Sequence, residues 1–313
     1  MYQHTTHSTN SKNKFGQYFT PTLVAESMIS LADIAPEAAI LEPACGEGIF
    51  LDLLAQKGFR DLTAYEIDSQ LATDYDCVKY ESFVSAPIEA QYDLVIGNPP
   101  YIRWKNLEVE LKEELANNTL WNQYFNSLCD YLYIFILKSI ECLKENGQLI
   151  FICPEYWMNT THSISLRNYM VEQGYFEKIF HFNETPIFEG ATISTVIFKY
   201  VKSQKAAKPK VEVAKYFQAK SLTIDVLKEM NSPKTKYPNI RKFCIPPFEA
   251  NQRWLLVEEK ERKVIADFER ACLNQALKRK DLQERYSTIG EVCKIGNGMV
   301  SGLDKIFQLG EVY

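Results

Sequence analysis

The chain has 313 residues, 46% hydrophobic and 24% charged, with a formal net charge of −5 at pH 7. These are the proportions of a water-soluble globular protein, and no run of about 18 apolar residues is present to cross a membrane. Eight cysteines and four histidines show neither C-x-x-C nor H-E-x-x-H spacing, so no metal site is expected.

The net charge conceals a strong asymmetry. Residues 1–198 carry 12 Lys+Arg against 26 Asp+Glu, residues 199–242 carry 12 against 3, and residues 243–313 carry 11 of each. The middle segment, net +9, reads either as a phosphate-facing edge or as a solvated lysine-rich surface, and charge alone favours the second.

In chain order, residues 1–14 are polar, rich in Ser, Thr, Asn and His, and read as a flexible arm. They lack the apolar core of an export signal, so a cytoplasmic location with reduced thiols is expected. A helical pattern covers Pro21–Ile34 and a strand Ala39–Leu41. A Gly46-x-Gly48 turn then opens a helix over Gly48–Gln56. Further strands are predicted at Leu62–Tyr65, Val78–Phe83, Tyr92–Ile96, Leu149–Cys153, Lys178–Phe182 and Ile193–Tyr200, the last two as a possible hairpin. Between them fall helices at Leu128–Leu143, apolar on nearly every face and read as stopped by Gly147, and at Ser163–Glu172. Strands alternating with helices give a doubly wound α/β fold. Beyond residue 222 the pattern changes. Breaks at Ser232-Pro233 and Cys244–Pro247 precede a charge-dense helical stretch, Leu255–Leu282, and a boundary is expected near residue 230.

Two motifs carry chemistry. The first is Ile40-Leu-Glu-Pro-Ala-Cys-Gly-Glu-Gly-Ile-Phe-Leu51, a strand running through a glycine turn into a helix, with Tyr65-Glu66-Ile67-Asp68 at the next strand end. In an open α/β sheet a ligand sits at such strand ends, and Glu66 is placed to accept hydrogen bonds from the ribose hydroxyls of an adenosine. An ordinary N-cap or loop acid is the plain alternative. The second is Asp93-Leu-Val-Ile-Gly-Asn98-Pro99-Pro100-Tyr101. The two prolines stiffen the backbone and leave carbonyl acceptors without N–H donors. Asn98 adds a side-chain oxygen, and Tyr101 a face for a planar base. Such a corner suits a neutral amino group offering two N–H donors. A proline-stiffened structural turn is the alternative.

Together these stretches resemble the S-adenosylmethionine-dependent adenine-N6 DNA methyltransferases. The order Phe15-Gly-Gln-Tyr-Phe-Thr-Pro21, glycine turn, Asn-Pro-Pro-Tyr resembles the gamma class of type II and type IIG restriction–modification systems. The similarity runs from about Phe15 to Tyr200 and includes Gly147–Pro154 and Ile187–Val196. The resemblance implies a Rossmann-like class I methyltransferase fold: a mostly parallel seven-stranded sheet with a terminal antiparallel hairpin, followed by a C-terminal helical linker. It implies a catalytic domain over residues 15–230 and a linker and recognition region over 231–313. It also implies S-adenosylmethionine as cofactor, double-stranded DNA as partner, and transfer of a methyl group to a flipped-out adenine. Tyr18, Phe19 and Thr20 would then close over the cofactor's methionine, Glu42, Ala44 and Gly46 line it, Glu66 hold the ribose and Ile67 pack on the adenine. Phe188 would face Tyr101 across the target base, with Asn98 and the Pro99 carbonyl holding its amine beside Pro100. Ser82-Phe83, preceded by Glu81, stands where the family often has Asp-Phe, which leaves the contact to the cofactor's adenine amine unassigned.

The stretch Ile295–Phe307 resembles the entry to a target-recognition domain, which in relatives continues well beyond the equivalent of Tyr313. The expectation is therefore a truncated recognition region, or a separate recognition subunit. The rival readings are an RNA adenine methyltransferase, a protein-glutamine methyltransferase and a non-catalytic DNA-binding subunit.

Overall fold

The computed structural model describes residues 18–71, 75–188, 193–218 and 222–281. The expected arm (1–14), the start of the Phe15–Pro21 motif, part of the loop after Phe188 and the Ile295–Phe307 stretch lie outside them. One compact unit runs to Glu258 and a second begins at Glu259.

The first unit is built on one nine-stranded sheet. In chain order its elements are α1 (Thr22–Ile29), β1 (Ile40–Glu42), α2 (Ile49–Gln56), β2 (Leu62–Tyr65), β3 (Val78–Lys79), β4 (Tyr92–Gly97), α3 (Val109–Asn117), α4 (Thr119–Tyr124) and α5 (Leu132–Cys142). Then come β5 (Leu143–Pro154), α6 (Ile164–Gln173), β6 (Gly174–His181), β7 (Thr195–Lys202), β8 (Val211–Tyr216), α7 (Ile224–Asn231) and β9 (Ile240–Ile245). The strand order is β3-β2-β1-β4-β5-β7-β6-β8-β9. The first five strands in that order pair in parallel. β7 then runs antiparallel between β5 and β6, which is the expected hairpin with β7 inserted.

Strand alternation sends Leu94, Ile96, Ile150 and Ile152 to one face, where they meet α1, α2 and α7 through Met28, Phe50 and Leu227. Val95, Leu149 and Phe151 point to the other, under Leu111, Leu115 and the almost wholly buried α5. Helices on both faces are what leave the strands apolar on both sides.

Three features depart from the sequence reading. The sheet has two strands beyond the seven expected, because β8 pairs in parallel with β6 and β9 pairs antiparallel with β8. The boundary drawn near residue 230 consequently falls inside the first unit. Past β9 the chain stays fastened: Trp254, 2% exposed, stacks on Phe248 at 4.5 Å and donates its backbone N–H to the Met158 carbonyl, while Arg167 Nε donates to the Gln252 carbonyl. Finally, Gly147 does not stop α5, which ends at Cys142. It lies within β5, where a Cβ would come within 3.0 Å of the Tyr92 and Lys144 carbonyl oxygens.

Part of the basic segment is spent inside the fold. Lys202 Nζ donates to the carbonyls of Ile140 and Leu143 (both 2.9 Å) at the C-terminus of α5. Lys208 Nζ donates to the Val171 carbonyl in the last turn of α6, and Lys242 Nζ to the Glu229 and Ser232 carbonyls at the end of α7. Each ammonium meets the negative end of a helix and its orphan carbonyls. Lys199 pairs with Glu177 and Lys178 with Glu212. Four of the segment's twelve basic side chains, Lys199, Lys202, Lys208 and Lys242, thus serve contacts within the fold rather than a phosphate edge.

The described part of the second unit is α8 (Glu259–Asp281), charge-dense with Val264 and Phe268 exposed four residues apart. Among the described residues no helix is long and apolar enough to cross a membrane, and no cluster of metal-ligating side chains occurs.

Candidate functional site

The strand order reverses between β1 and β4, which lie side by side and parallel, so the chain segments leaving their carboxyl ends diverge and open a crevice. The glycine turn leaves β1 and the Asn-Pro-Pro-Tyr corner leaves β4, placing both motifs at this point. Gly46 (φ 55°) and Gly48 (φ 86°) take left-handed conformations that suit glycine, and Gly48 is the N-cap of α2.

A pocket opens there. Tyr18, Phe19, Ala44, Gly46, Glu66, Ile67, Ser82, Phe83, Asn98 and Pro100 all line it. Thr20 and Glu42 line an adjoining cavity that shares Tyr18, Phe19, Ala44, Gly46 and Asn98. Pro99 is buried just behind the corner. Sequence reasoning did not select Pro43, Ile102, Leu111, Tyr131 and Phe135, which complete the first pocket. Leu111 arrives on α3, and Tyr131 and Phe135 at the start of α5, so tertiary packing alone brings them in.

Glu66 is rigidly set. One carboxylate oxygen accepts the Gly46 backbone N–H and the other that of Asp68, both at 2.8 Å. Burial raises its pKa, and these N–H groups oppose the rise. Glu42 is 1% exposed, and its Oε2 has no hydrogen-bond partner. Burial first, then the charges of Glu66 and Asp52, push its pKa well above the ordinary carboxylate range. An orphaned buried acid beside a cavity is a fitting counterpart for an ammonium group.

The turn carrying Ser82 and Phe83 is propped from below by Lys138, another residue the sequence did not single out. Its buried ammonium donates to the Val84 carbonyl (2.8 Å) and to that of Ala86, and lies 5.0 Å from the centre of the Phe83 ring. Burial lowers its pKa to about 8. Ser82 Oγ accepts from the Val84 N–H at 3.2 Å, so its oxygen already serves the turn.

At the corner itself, Asn98 Nδ2 donates to the Tyr18 carbonyl at 2.6 Å, and its Oδ1 accepts from the Tyr101 hydroxyl. The same hydroxyl lies 2.8 Å from the Ile152 carbonyl. The three rings of Tyr18, Tyr101 and Phe188 pack on one another. Tyr18 stacks on Tyr101 at 5.9 Å and 22°, and Phe188 is tilted against both, at 5.6 Å from Tyr18 and 6.4 Å from Tyr101.

Comparison with known proteins follows the same lines. Residues 49–188 match the family described as Eco57I restriction-modification methylase, and residues 2–68 match N-6 DNA Methylase. The chain is 41% identical over 307 residues to the Type II methyltransferase M.HindII of Haemophilus influenzae, covering 97% of this chain and 57% of that protein. It is 38% identical to M.HincII, also from Haemophilus influenzae, covering 97% of this chain and 55% of the relative. It therefore spans a little over half the length of these relatives. Among solved structures it is similar to a Listeria monocytogenes protein described as a class I S-adenosylmethionine-dependent methyltransferase. The TM-score is 0.53 over 71% of this chain and 73% of that one, at 18% identity, a likeness of fold alone. The glycine turn and the diproline corner thus open on one pocket, in a chain whose residues 2–68 match N-6 DNA Methylase and which is similar over 97% of its length to two Type II methyltransferases.

Proposed function

We propose that the chain transfers a methyl group from S-adenosylmethionine to the N6 amine of an adenine flipped out of duplex DNA, as the modification activity of a restriction–modification system. The observation that carries this reading is the meeting of Asn98 and Pro100 with Gly46, Glu66 and Ile67 around one pocket. An acceptor-rich corner thereby abuts a site built for a nucleoside.

Bound S-adenosylmethionine would supply an electrophilic methyl group. Glu42, buried with an unpartnered oxygen, fits the amino group of its methionine part. Glu66, held by Gly46 and Asp68, presents a fixed carboxylate to ribose hydroxyls, and Ile67 and Phe83 offer apolar faces to a purine. Because Ser82 Oγ serves its own turn, Glu81 is the better acceptor for that purine's amine, and it lines the same pocket. Phe19, 53% exposed, lies over Gly46, where an added Cβ would meet it at 3.8 Å, and fits a cover for the site.

Adenine N6 is a weak nucleophile, since its lone pair is shared with the ring. Accepting its two N–H bonds at the Asn98 side chain and the Pro99 carbonyl favours a pyramidal nitrogen and aims the lone pair outward. Stacking on Tyr101 and Phe188 holds the base and offsets charge developing in its ring. Orientation of this kind contributes most of the acceleration, and no strong base is needed before attack. The test is tritiated methyl transfer to duplex DNA, RNA and protein side by side, followed by nucleoside analysis. Label recovered as N6-methyladenine from DNA is the expected result. Label confined to RNA or to glutamine side chains would replace the proposed substrate.

A further inference from the structure

We propose that Glu155 is a positioning residue for the target base, fixing the chain segment that carries Phe188 opposite Tyr101. The inference rests on the reading of those two rings as the walls of the base slot.

Glu155 directly follows β5. Its Oε2 accepts from His181 Nε2 at 2.7 Å and from Ser194 Oγ at 2.6 Å, and its own backbone N–H donates to the Ser194 carbonyl at 2.9 Å. His181 is the last residue of β6 and Ser194 immediately precedes β7, so this one carboxylate grips both stems flanking Phe188. Three residues earlier on the same strand, the Ile152 carbonyl lies 2.8 Å from the Tyr101 hydroxyl. The end of β5 is therefore the common reference for both rings.

The grip is specific. His181 is buried, and its other ring nitrogen, Nδ1, has no hydrogen-bond partner, so the side-chain hydrogen bonding of the imidazole goes to Glu155 and Ser194. The His181 hydrogen bond holds the Glu155 carboxyl down to about 2, so it is ionised at any working pH and its bonds are charge-assisted. On the β6 side the segment is tied further, by Asn183 Nδ2 to the Tyr216 carbonyl (2.6 Å) and Thr185 Oγ1 to the Gln218 carbonyl (2.8 Å). On the β7 side, Glu155 meets Ser194 through both its side chain and its backbone, and His181 Nε2 lies 3.1 Å from the same hydroxyl.

The experiment compares the 313-residue chain with E155A, E155Q, F188A and E155A/F188A. Single-turnover methyl transfer to DNA, cofactor dissociation constants and hydrogen exchange over residues 182–188 are measured. Displacing an oriented group by about 1 Å costs on the order of 100-fold. E155A is therefore expected to slow transfer about 10- to 100-fold while its cofactor dissociation constant stays within about twofold of wild type. E155Q, whose amide oxygen still accepts the Ser194 hydroxyl, recovers part of the rate. If Glu155 works through Phe188, adding E155A to F188A costs little more. An E155A rate equal to wild type, or a full E155A penalty in the F188A background, overturns the proposal. Hydrogen exchange over 182–188 should quicken in E155A, and unchanged exchange overturns it without reference to turnover. A wild-type chain that methylates no DNA instead counts against the proposed function.

Discussion

The Tyr101 hydroxyl donates to the side-chain oxygen of Asn98, the atom best placed at the diproline corner to receive a substrate amine. Tyr18 stacks on the Tyr101 ring and touches Phe188, so the proposed base slot is closed upon itself. Entry of a base requires the hydroxyl to release Asn98 and the Tyr18 ring to shift. Removing the hydroxyl while keeping the ring thus leaves Asn98 free to accept the amine. Tyr101→Phe is expected to keep single-turnover methyl transfer within about fivefold of wild type. Tyr101→Ala, which loses a stacking face contributing roughly 1–3 kcal/mol, falls about 10- to 100-fold. Asn98→Ala abolishes transfer while S-adenosylmethionine still binds by calorimetry. Retained turnover in Asn98→Ala removes that residue from the chemistry.

Glu66 has a double duty, holding two backbone N–H groups and facing the pocket. Glu66→Ala should weaken cofactor binding at least tenfold, measured by calorimetry, with the Gly46 turn losing its acceptor as well. Glu66→Gln retains an oxygen for only one of the two N–H groups and should fall between. An unchanged dissociation constant for both variants would return this acid to a purely structural role.

Glu42 supplies a pH signature. Its folded pKa is raised, so the stability it confers is complete below the unfolded carboxylate value of about 4.3 and is lost as pH rises through the higher folded value. At neutral pH the buried acid is therefore a liability to the empty fold. Glu42→Gln should raise the melting temperature by about 2–4 °C at pH 7.5, roughly 1 kcal/mol for a domain of this size. The gain should shrink toward zero as pH approaches about 4.3. The same substitution should weaken cofactor binding, because the negative partner for an amino group is gone. A variant that is more stable yet binds the cofactor normally breaks the assignment.

What could be read directly from the sequence was local chemistry. A glycine turn after a strand, an acid at the next strand end and two consecutive prolines are dictated by a few adjacent residues, and the fold gathers them at the strand-order reversal. Lining residues such as Leu111, Tyr131 and Phe135 carry no such mark, because only packing of α3 and α5 over the sheet brings them to the pocket. β8 does alternate, with Val211 and Val213 buried and Glu212 exposed, but its lysine-rich flanks resemble a surface loop. The lysines themselves are ambiguous for the same reason. Whether an ammonium faces water or the end of a helix depends on where that helix ends in space.

Lys208 tests that point. Its ammonium donates to the Val171 carbonyl near the end of α6, and burial lowers its pKa. Lys208→Glu should destabilise the chain by about 1 kcal/mol, since it sets a negative charge against the negative end of a helix. The slope of log affinity for DNA against log salt should stay at its wild-type value, because no phosphate contact is lost. A slope shallower by about one counterion would instead assign Lys208 to the DNA interface.

Lys138 supports the proposed cofactor pocket from beneath. Its ammonium satisfies the Val84 and Ala86 carbonyls and sits near the Phe83 ring, fixing the turn that carries Ser82 and Phe83. Lys138→Met fills similar space but leaves those carbonyls without their donor, at a cost of about 1–3 kcal/mol for each buried acceptor that water cannot reach. The melting temperature should fall. Because the released turn forms one wall of the proposed nucleoside site, the dissociation constant for S-adenosylmethionine should rise by more than about threefold, on the order of 0.7 kcal/mol. Transfer rate at saturating cofactor should change little, since Asn98 and Tyr101 stand on a different strand end. Lys138→Arg keeps the charge but cannot fit its planar fork where an ammonium sits, so it should rescue poorly. A lower melting temperature with unaltered cofactor affinity would confine Lys138 to holding the fold together.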